Sequence, residues 1–176
     1  MRAPVGRDVL ERTKISTGWR SYFKFLDNKI ENRHKTADSV SVVAGGTPVG
    51  TIAGVQTWND GSVYQVPEVA ATPGFDIRFT IGTVKSFSHI SSNVLYSGAS
   101  THQVEWQIYN VTEDQWDTLT QVPHGFGYNF RYIDFPNDNA DYINTSGQVI
   151  IRLYHISAGN AAHDIYIDYL ALAGVS

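Results

Sequence analysis

Asp168 is the residue whose position most demands a chemical explanation. It interrupts the apolar run Ile165-Tyr166-Ile167-Asp168-Tyr169-Leu170-Ala171-Leu172. A carboxylate among such neighbours must be hydrogen-bonded, paired with a cation or bound to a metal. Arg152 and Arg78, each inside another apolar run, are the cationic partners on offer. A second group of oxygen donors, Asn137-Asp138-Asn139-Ala140-Asp141, lacks the glycine and closing glutamate of an EF-hand loop. Asx side chains cap their own backbone in ordinary turns, so a plain turn is expected there.

Hydrolytic chemistry finds little support. His155, Ser157, His163 and Asp164 are close in sequence, yet no nucleophile elbow surrounds the serine and no metal-ligand spacing relates the six histidines. Nothing marks a facing pair of carboxylates for glycoside cleavage. The absence of cysteine excludes thiol catalysis, thiolate zinc sites and a disulfide scaffold. The expectation is a protein that is not an enzyme. Aromatic side chains beside polar ones are better supplied: Trp58 precedes Asn59-Asp60, and Tyr128, Tyr132 and Tyr142 lie near Asn129, Arg131 and Asp141. Ring faces stack on the C–H surfaces of sugars while polar neighbours bond the hydroxyls. Trp58, Tyr128, Arg131, Tyr132 and Tyr142 are therefore the expected sugar contacts, although packing is the other use of each. Trp106 shares a face with Val104 and Ile108 and is assigned to the core.

The elements that must hold these residues are strands. Phe75, Ile77, Phe79 and Ile81 alternate with Asp76, Arg78 and Thr80, and Val104, Trp106 and Ile108 alternate with Glu105 and Gln107, the period of half-buried strands. Two long apolar runs, Ser146–His155 and His163–Leu172, close the chain around the small-residue turn Ser157–Ala161. In the last run both phases are apolar, so both faces are covered and earlier strands must flank it. Further strands are expected at Val40–Val43, Val55–Trp58, Val63–Val66, Val84–Ile90, Gln115–Leu119 and Tyr128–Phe135, with turns at Gly45-Gly46, Asn59-Asp60-Gly61, Pro73-Gly74 and Ser91-Ser92-Asn93. Many short strands punctuated by turns give an all-β fold, an antiparallel β-sandwich or jelly roll, over residues 38–176.

Residues 1–37 form a separate arm. They hold nine Lys or Arg against four acids, a balance of +5, which leaves the remainder at −9 within a net charge of −4. Trp19, Tyr22, Phe23 and Leu26 fall at helical spacing with Arg20 and Lys24 on the other face; alternation over Trp19–Leu26 also allows a strand. A short helix that docks its aromatic face on a partner, steered by its basic residues, is the expected use of Trp19, Arg20, Tyr22, Phe23, Lys24 and Leu26. The interleaved acids and the lack of a recognition motif argue against nucleic acid. No apolar stretch approaches the ~18–20 residues of a membrane helix, and the beginning of the chain lacks a signal-peptide core.

Three patches resemble the jelly-roll domains of carbohydrate-binding modules, and more closely such domains on bacteriophage virion proteins. They are Val104–Asn110 with Gln115–Leu119, Asp141-Tyr142-Ile143 with Val149–His155, and Gly159-Asn160 with His163–Leu172. The resemblance implies a structural virion protein, a capsid or tail decoration made in the host cytoplasm. Its jelly roll would face outward, and residues 1–37 would bind the capsid or tail protein and further copies of the chain in a homo-oligomer such as a trimer. The other role implied is a glycan-binding module that adsorbs to a host surface polysaccharide. Carbohydrate-binding jelly rolls often carry a structural calcium ion held by a last-strand Asp and an early acid; Asp168 and Glu68 occupy those places. Pairing of Asp168 with Arg152 or Arg78 stands beside that reading.

Overall fold

The alternation of β-branched and aromatic residues with polar ones is expressed as ten strands among the described residues of a computed structural model, which are 34–135 and 139–175. Contacts divide the chain into residues 1–34 and 35–176. Trp19, Arg20, Tyr22, Phe23, Lys24 and Leu26 lie outside the described residues, as do Asn137 and Asp138.

Two antiparallel sheets make a β-sandwich. The first comprises β1 (His34–Thr36), β3 (Tyr64–Pro67), β5 (His89–Tyr96), β8 (Asn129–Asp134) and β10 (Asp164–Ala173); its order is β1-β10-β5-β8, and β3 also pairs with β10. The second is ordered β2 (Ser39–Ala44), β4 (Asp76–Ile81), β9 (Val149–His155), β6 (Val104–Asn110), β7 (Gln115–Val122). The closing strands are central in both sheets: β10 is flanked by β3 and β5, and β9 by β4 and β6. Inward residues from both sheets, among them Ile77, Phe79, Trp106, Ile108, Ile151, Leu153, Ile165 and Ile167, are fully buried in one core. Burying each such side chain is worth about 1.5–3 kcal/mol, which is why alternation predicts their direction so well.

Three local expectations are corrected. Val55–Trp58 is no strand: Ile52–Val55 forms a 3-10 turn that runs into a loop carrying Trp58. Gly54 in that turn lies so close to the Val63 backbone that a Cβ would sit 2.8 Å from its carbonyl carbon, and the coil of chain replaces a hairpin. Ser91-Ser92-Asn93 is no turn but the buried middle of β5, paired on both sides with β10 and β8. The strand thus begins at His89, later than expected, and Val84 lies outside it. Finally, the single phase read along the last run is broken. The register with β5 shifts between Ile167 and Tyr169, leaving Asp168 as a bulged residue. Ile165 and Ile167 belong to the core before the shift, Leu170 and Leu172 after it.

Candidate functional site

That bulge builds a cleft. An extra residue in one strand turns consecutive side chains out of their alternating order, and here it brings Asp168 to a cleft of about 490 Å3. The walls are aromatic: Trp58 from the loop before β3, Tyr128 at the entrance to β8, and Phe130 on β8. All three rings are nearly half exposed, at 46 %, 45 % and 49 %. Trp58 is held edge-on by Phe130 (4.8 Å between centroids, 82°) and by Tyr169 (5.8 Å, 78°). Its orientation is thereby fixed before any ligand arrives.

Asp168 is 4 % exposed. Its Oδ2 accepts hydrogen bonds from Asn93 Nδ2 (2.8 Å) and from the Asn59 backbone N–H (3.2 Å). Asn59 adopts φ 51° and Gly61 φ 84°, so the turn-forming residues seen in the sequence are what bend the loop and aim that N–H at the carboxylate. Among the described residues no protein donor reaches Oδ1. Tyr128 titrates higher than an ordinary phenol, because of burial and the nearby Asp168 charge. The site is a ring-walled, acceptor-floored cleft of the size of small-molecule sites.

The structure brings Trp58 and Tyr128 together, with Tyr132 on the same exposed edge: Phe130, Tyr132 and Asp134 are the outward residues of β8, and Tyr132 stacks on His89 at 4.0 Å. It separates the other two expected contacts. Arg131 takes the opposite phase of β8 from Phe130 and Tyr132, and its Nε is buried without a partner. Tyr142 lies in a 3-10 turn, packs edge-on to Phe135 and donates to Asp117 at 3.0 Å. Phe130, Asn59 and Asn93 were missed. The signal for Asn93 was chemical: a buried Asp168 needs an amide donor, and a polar side chain on an adjoining strand supplies one.

Arg78 and Arg152 do not pair with Asp168. Both bind Asp76, at 2.8 and 3.1 Å, on the outer face of the second sheet. Arg152 also lies over the rings of Trp116 and Tyr154, 4.1 Å from each centroid, so those ring faces are already covered.

Glu68 and Asp168 do not share a calcium site. Asp168 faces N–H donors, and Glu68 sits in a different cluster, among imidazoles. Calcium takes six to eight oxygens, and neither set of neighbours fits that ion. Glu68 is 1 % exposed and accepts from the Tyr96 hydroxyl and from the Asn160 N–H at 2.6 Å. Around it stand His163 Nδ1 at 3.3 Å, His102 Nδ1 at 3.5 Å and His155 Nε2 at 3.8 Å. His155 has no exposure because it faces inward in phase with Val149, Ile151 and Leu153. Burial lowers its proton affinity, against the pull of the Glu68 charge. Desolvation pushes Glu68 up, but the Tyr96 hydroxyl, the Asn160 N–H and the nearby His155 and His102 hold it below the usual range. Two glycines make room: a Cβ on Gly74 would fall 2.0 Å from His155 Nδ1, and one on Gly159 would fall 2.9 Å from Glu68 Oε2.

No protein-family model matches the chain, and no curated protein matches its sequence. Solved structures do resemble it. The chitosan-binding module 1 derived from a chitosanase/glucanase of Paenibacillus sp. IK-5 is 14 % identical, with 80 % of this chain and 97 % of that one covered and a TM-score of 0.50. A family 29 carbohydrate-binding module is 12 % identical over 80 % and 89 % of the two chains, with a TM-score of 0.47. The fold is that of a carbohydrate-binding-module-like β-sandwich.

Proposed function

We propose that the protein is a glycan-binding module whose sugar site is the cleft of Trp58, Tyr128, Phe130 and Asp168. One observation carries the reading: exposed, edge-braced rings surround a buried carboxylate with an oxygen left for a ligand donor. The rings would stack on the C–H faces of a pyranose, and Asp168 would accept from its hydroxyl groups. The likeness of the sandwich to a chitosan-binding module supports this reading. A buried carboxylate at the floor selects against uronic acids and for neutral or amino sugars, by plain charge repulsion and attraction. On the other sheet Arg152 already occupies one face each of Trp116 and Tyr154, which makes it the poorer platform. Binding to chitosan-, mannan- and cellulose-derived oligosaccharides, with polygalacturonate as the anionic comparison, tests the reading. Retention by neutral or amino sugars that is lost in Trp58→Ala and Asp168→Asn supports it. No retention, or preference for the polyuronate, refutes it.

A second proposal concerns residues 1–37, whose +5 balance against −9 elsewhere suits an arm that docks on an acidic surface. Attachment of the module to a virion through that arm predicts that deleting residues 1–37 leaves a folded body unable to join particles. Incorporation of the truncated chain would refute it.

A further inference from the structure

At the end of the sandwich where β3, β5 and β9 terminate, the chain gathers nitrogen and oxygen ligands from five places. Glu68 follows β3, Tyr96 ends β5, His102 lies in the loop before β6, His155 ends β9 and His163 precedes β10. Ligand atoms of Glu68, His102 and His155 lie within 4.8 Å of one another. Both ring nitrogens of His155, and Nδ1 of His163, are buried without a hydrogen-bond partner. An unpaired buried polar atom is costly, about 1–3 kcal/mol, and two of these three, His155 Nε2 and His163 Nδ1, stand 3.8 and 3.3 Å from Glu68. Those two are satisfied by a shared electrophile; His155 Nδ1 lies on the other side of its ring, against Gly74, and is not part of the site.

We infer that Glu68, His102 and His155, with His163 as a fourth donor, form a structural site for a zinc-class divalent metal ion. Imidazole nitrogens and one carboxylate suit zinc and its transition-metal neighbours, and suit calcium or magnesium poorly. A tetrahedral ion with bonds of about 2.0–2.1 Å sets its ligand atoms about 3.3 Å apart. His163 and His102 already stand 3.3 and 3.5 Å from Glu68 Oε2 and His155 3.8 Å from Oε1. The ligand atoms of Glu68, His102 and His155 spread over as much as 4.8 Å, so the imidazoles must draw together when the ion binds. The surrounding shell has the right polarity. The Tyr96 hydroxyl and Asn160 N–H donate to Glu68 and orient it, as outer-shell donors orient a metal-bound carboxylate. Tyr96 O is also 3.0 Å from His102 Nδ1. Because the phenol proton goes to Glu68, His102 donates at that contact in the metal-free protein; an ion at Nδ1 takes that position and the ring switches to its Nε2–H tautomer, staying neutral. The bound ion ties segments of both sheets together at one end of the core. It is separate from the aromatic cleft, and its presence or absence does not decide the sugar reading.

The test uses the full chain without a histidine tag, stripped with a chelator and titrated with zinc chloride, then with cobalt chloride to read coordination from visible absorption. One equivalent is expected, with a raised melting temperature and the intense absorption of tetrahedral cobalt. Glu68→Gln and His102→Ala should each weaken binding at least tenfold, and Tyr96→Phe by about tenfold, since outer-shell losses cost about 10–100-fold. His155→Ala can fail to fold. His102 is a loop residue whose side chain is 18 % exposed, so His102→Ala keeps the test decisive. His89→Ala, at the opposite end of β5, should change nothing. No stoichiometric binding, binding indifferent to both Glu68→Gln and His102→Ala, or equal loss in His89→Ala overturns the inference.

Discussion

Replacing Trp58 by alanine is the sharpest probe of the sugar site, because its two jobs, ligand contact and packing, are read by separate assays. A tryptophan can bury about 150–250 Å2, and Trp58 leaves 46 % of its surface exposed. Covering that remainder with a sugar removes on the order of 100 Å2 from water, about 2.5 kcal/mol at ~25 cal/mol/Å2. Imperfect coverage and lost ligand freedom reduce this to about 1.5–2 kcal/mol, or roughly 10–30-fold in Kd. The loss in fold stability should be at least as large, because the buried half of the residue is worth about 2.5–3 kcal/mol on the same scale and the edges of Phe130 and Tyr169 add about 0.5–1.5 kcal/mol each. Isothermal titration with the best oligosaccharide from the panel, alongside urea unfolding, reads both effects. Trp116→Ala on the opposite sheet serves as the matched control, since its ring is already covered by Arg152. An unchanged Kd in Trp58→Ala, or a loss confined to Trp116→Ala, refutes the assignment of the cleft.

Further outcomes follow from the geometry. Asp168→Asn keeps the shape but loses the charge that holds Asn93 and Asn59; unfolding free energy should fall by about 1–2 kcal/mol and sugar binding should weaken, measured on the same samples. Trp106→Ala empties a fully buried site and should cost about 3–5 kcal/mol by denaturant titration, whereas Arg131→Ala should leave sugar affinity unchanged. Gly74→Ala should unfold at lower urea because its Cβ would strike His155 Nδ1; a midpoint equal to that of the parent would show that the packing there is loose. Stability should fall with acid in two stages. Both His155, through burial, and Glu68, despite burial and through its donors and neighbouring histidines, titrate lower in the folded state. Each therefore contributes stability above its unfolded value that is lost as pH falls, first below ~6.5 and again below ~4.3. A urea midpoint that stays constant from pH 7.5 to 4 in metal-free protein contradicts that sign.

Period-two alternation determined which residues face the core along β4, β6 and β9, because a strand has only two faces and water selects between them. Local turn chemistry was equally legible: Asn59-Asp60-Gly61 bends as its side chains require. The sequence also singled out Asp168 as anomalous and Trp58, Tyr128 and Tyr132 as aromatic candidates. Their assembly was not legible, because a one-residue bulge at Asp168 reverses the facing of the strand and nothing in the local pattern announces it. Arg131 and Tyr142 were drawn to the site by proximity in sequence, whereas strand phase and a 3-10 turn send them elsewhere. The histidine cluster shows the same limit. Glu68, His102, His155 and His163 stand at spacings that match no metal motif, and they meet only because several strands from two sheets end at one edge of the sandwich. Sequence set the faces, through the local geometry of the strand; tertiary structure chose the neighbours, through register and pairing between distant segments.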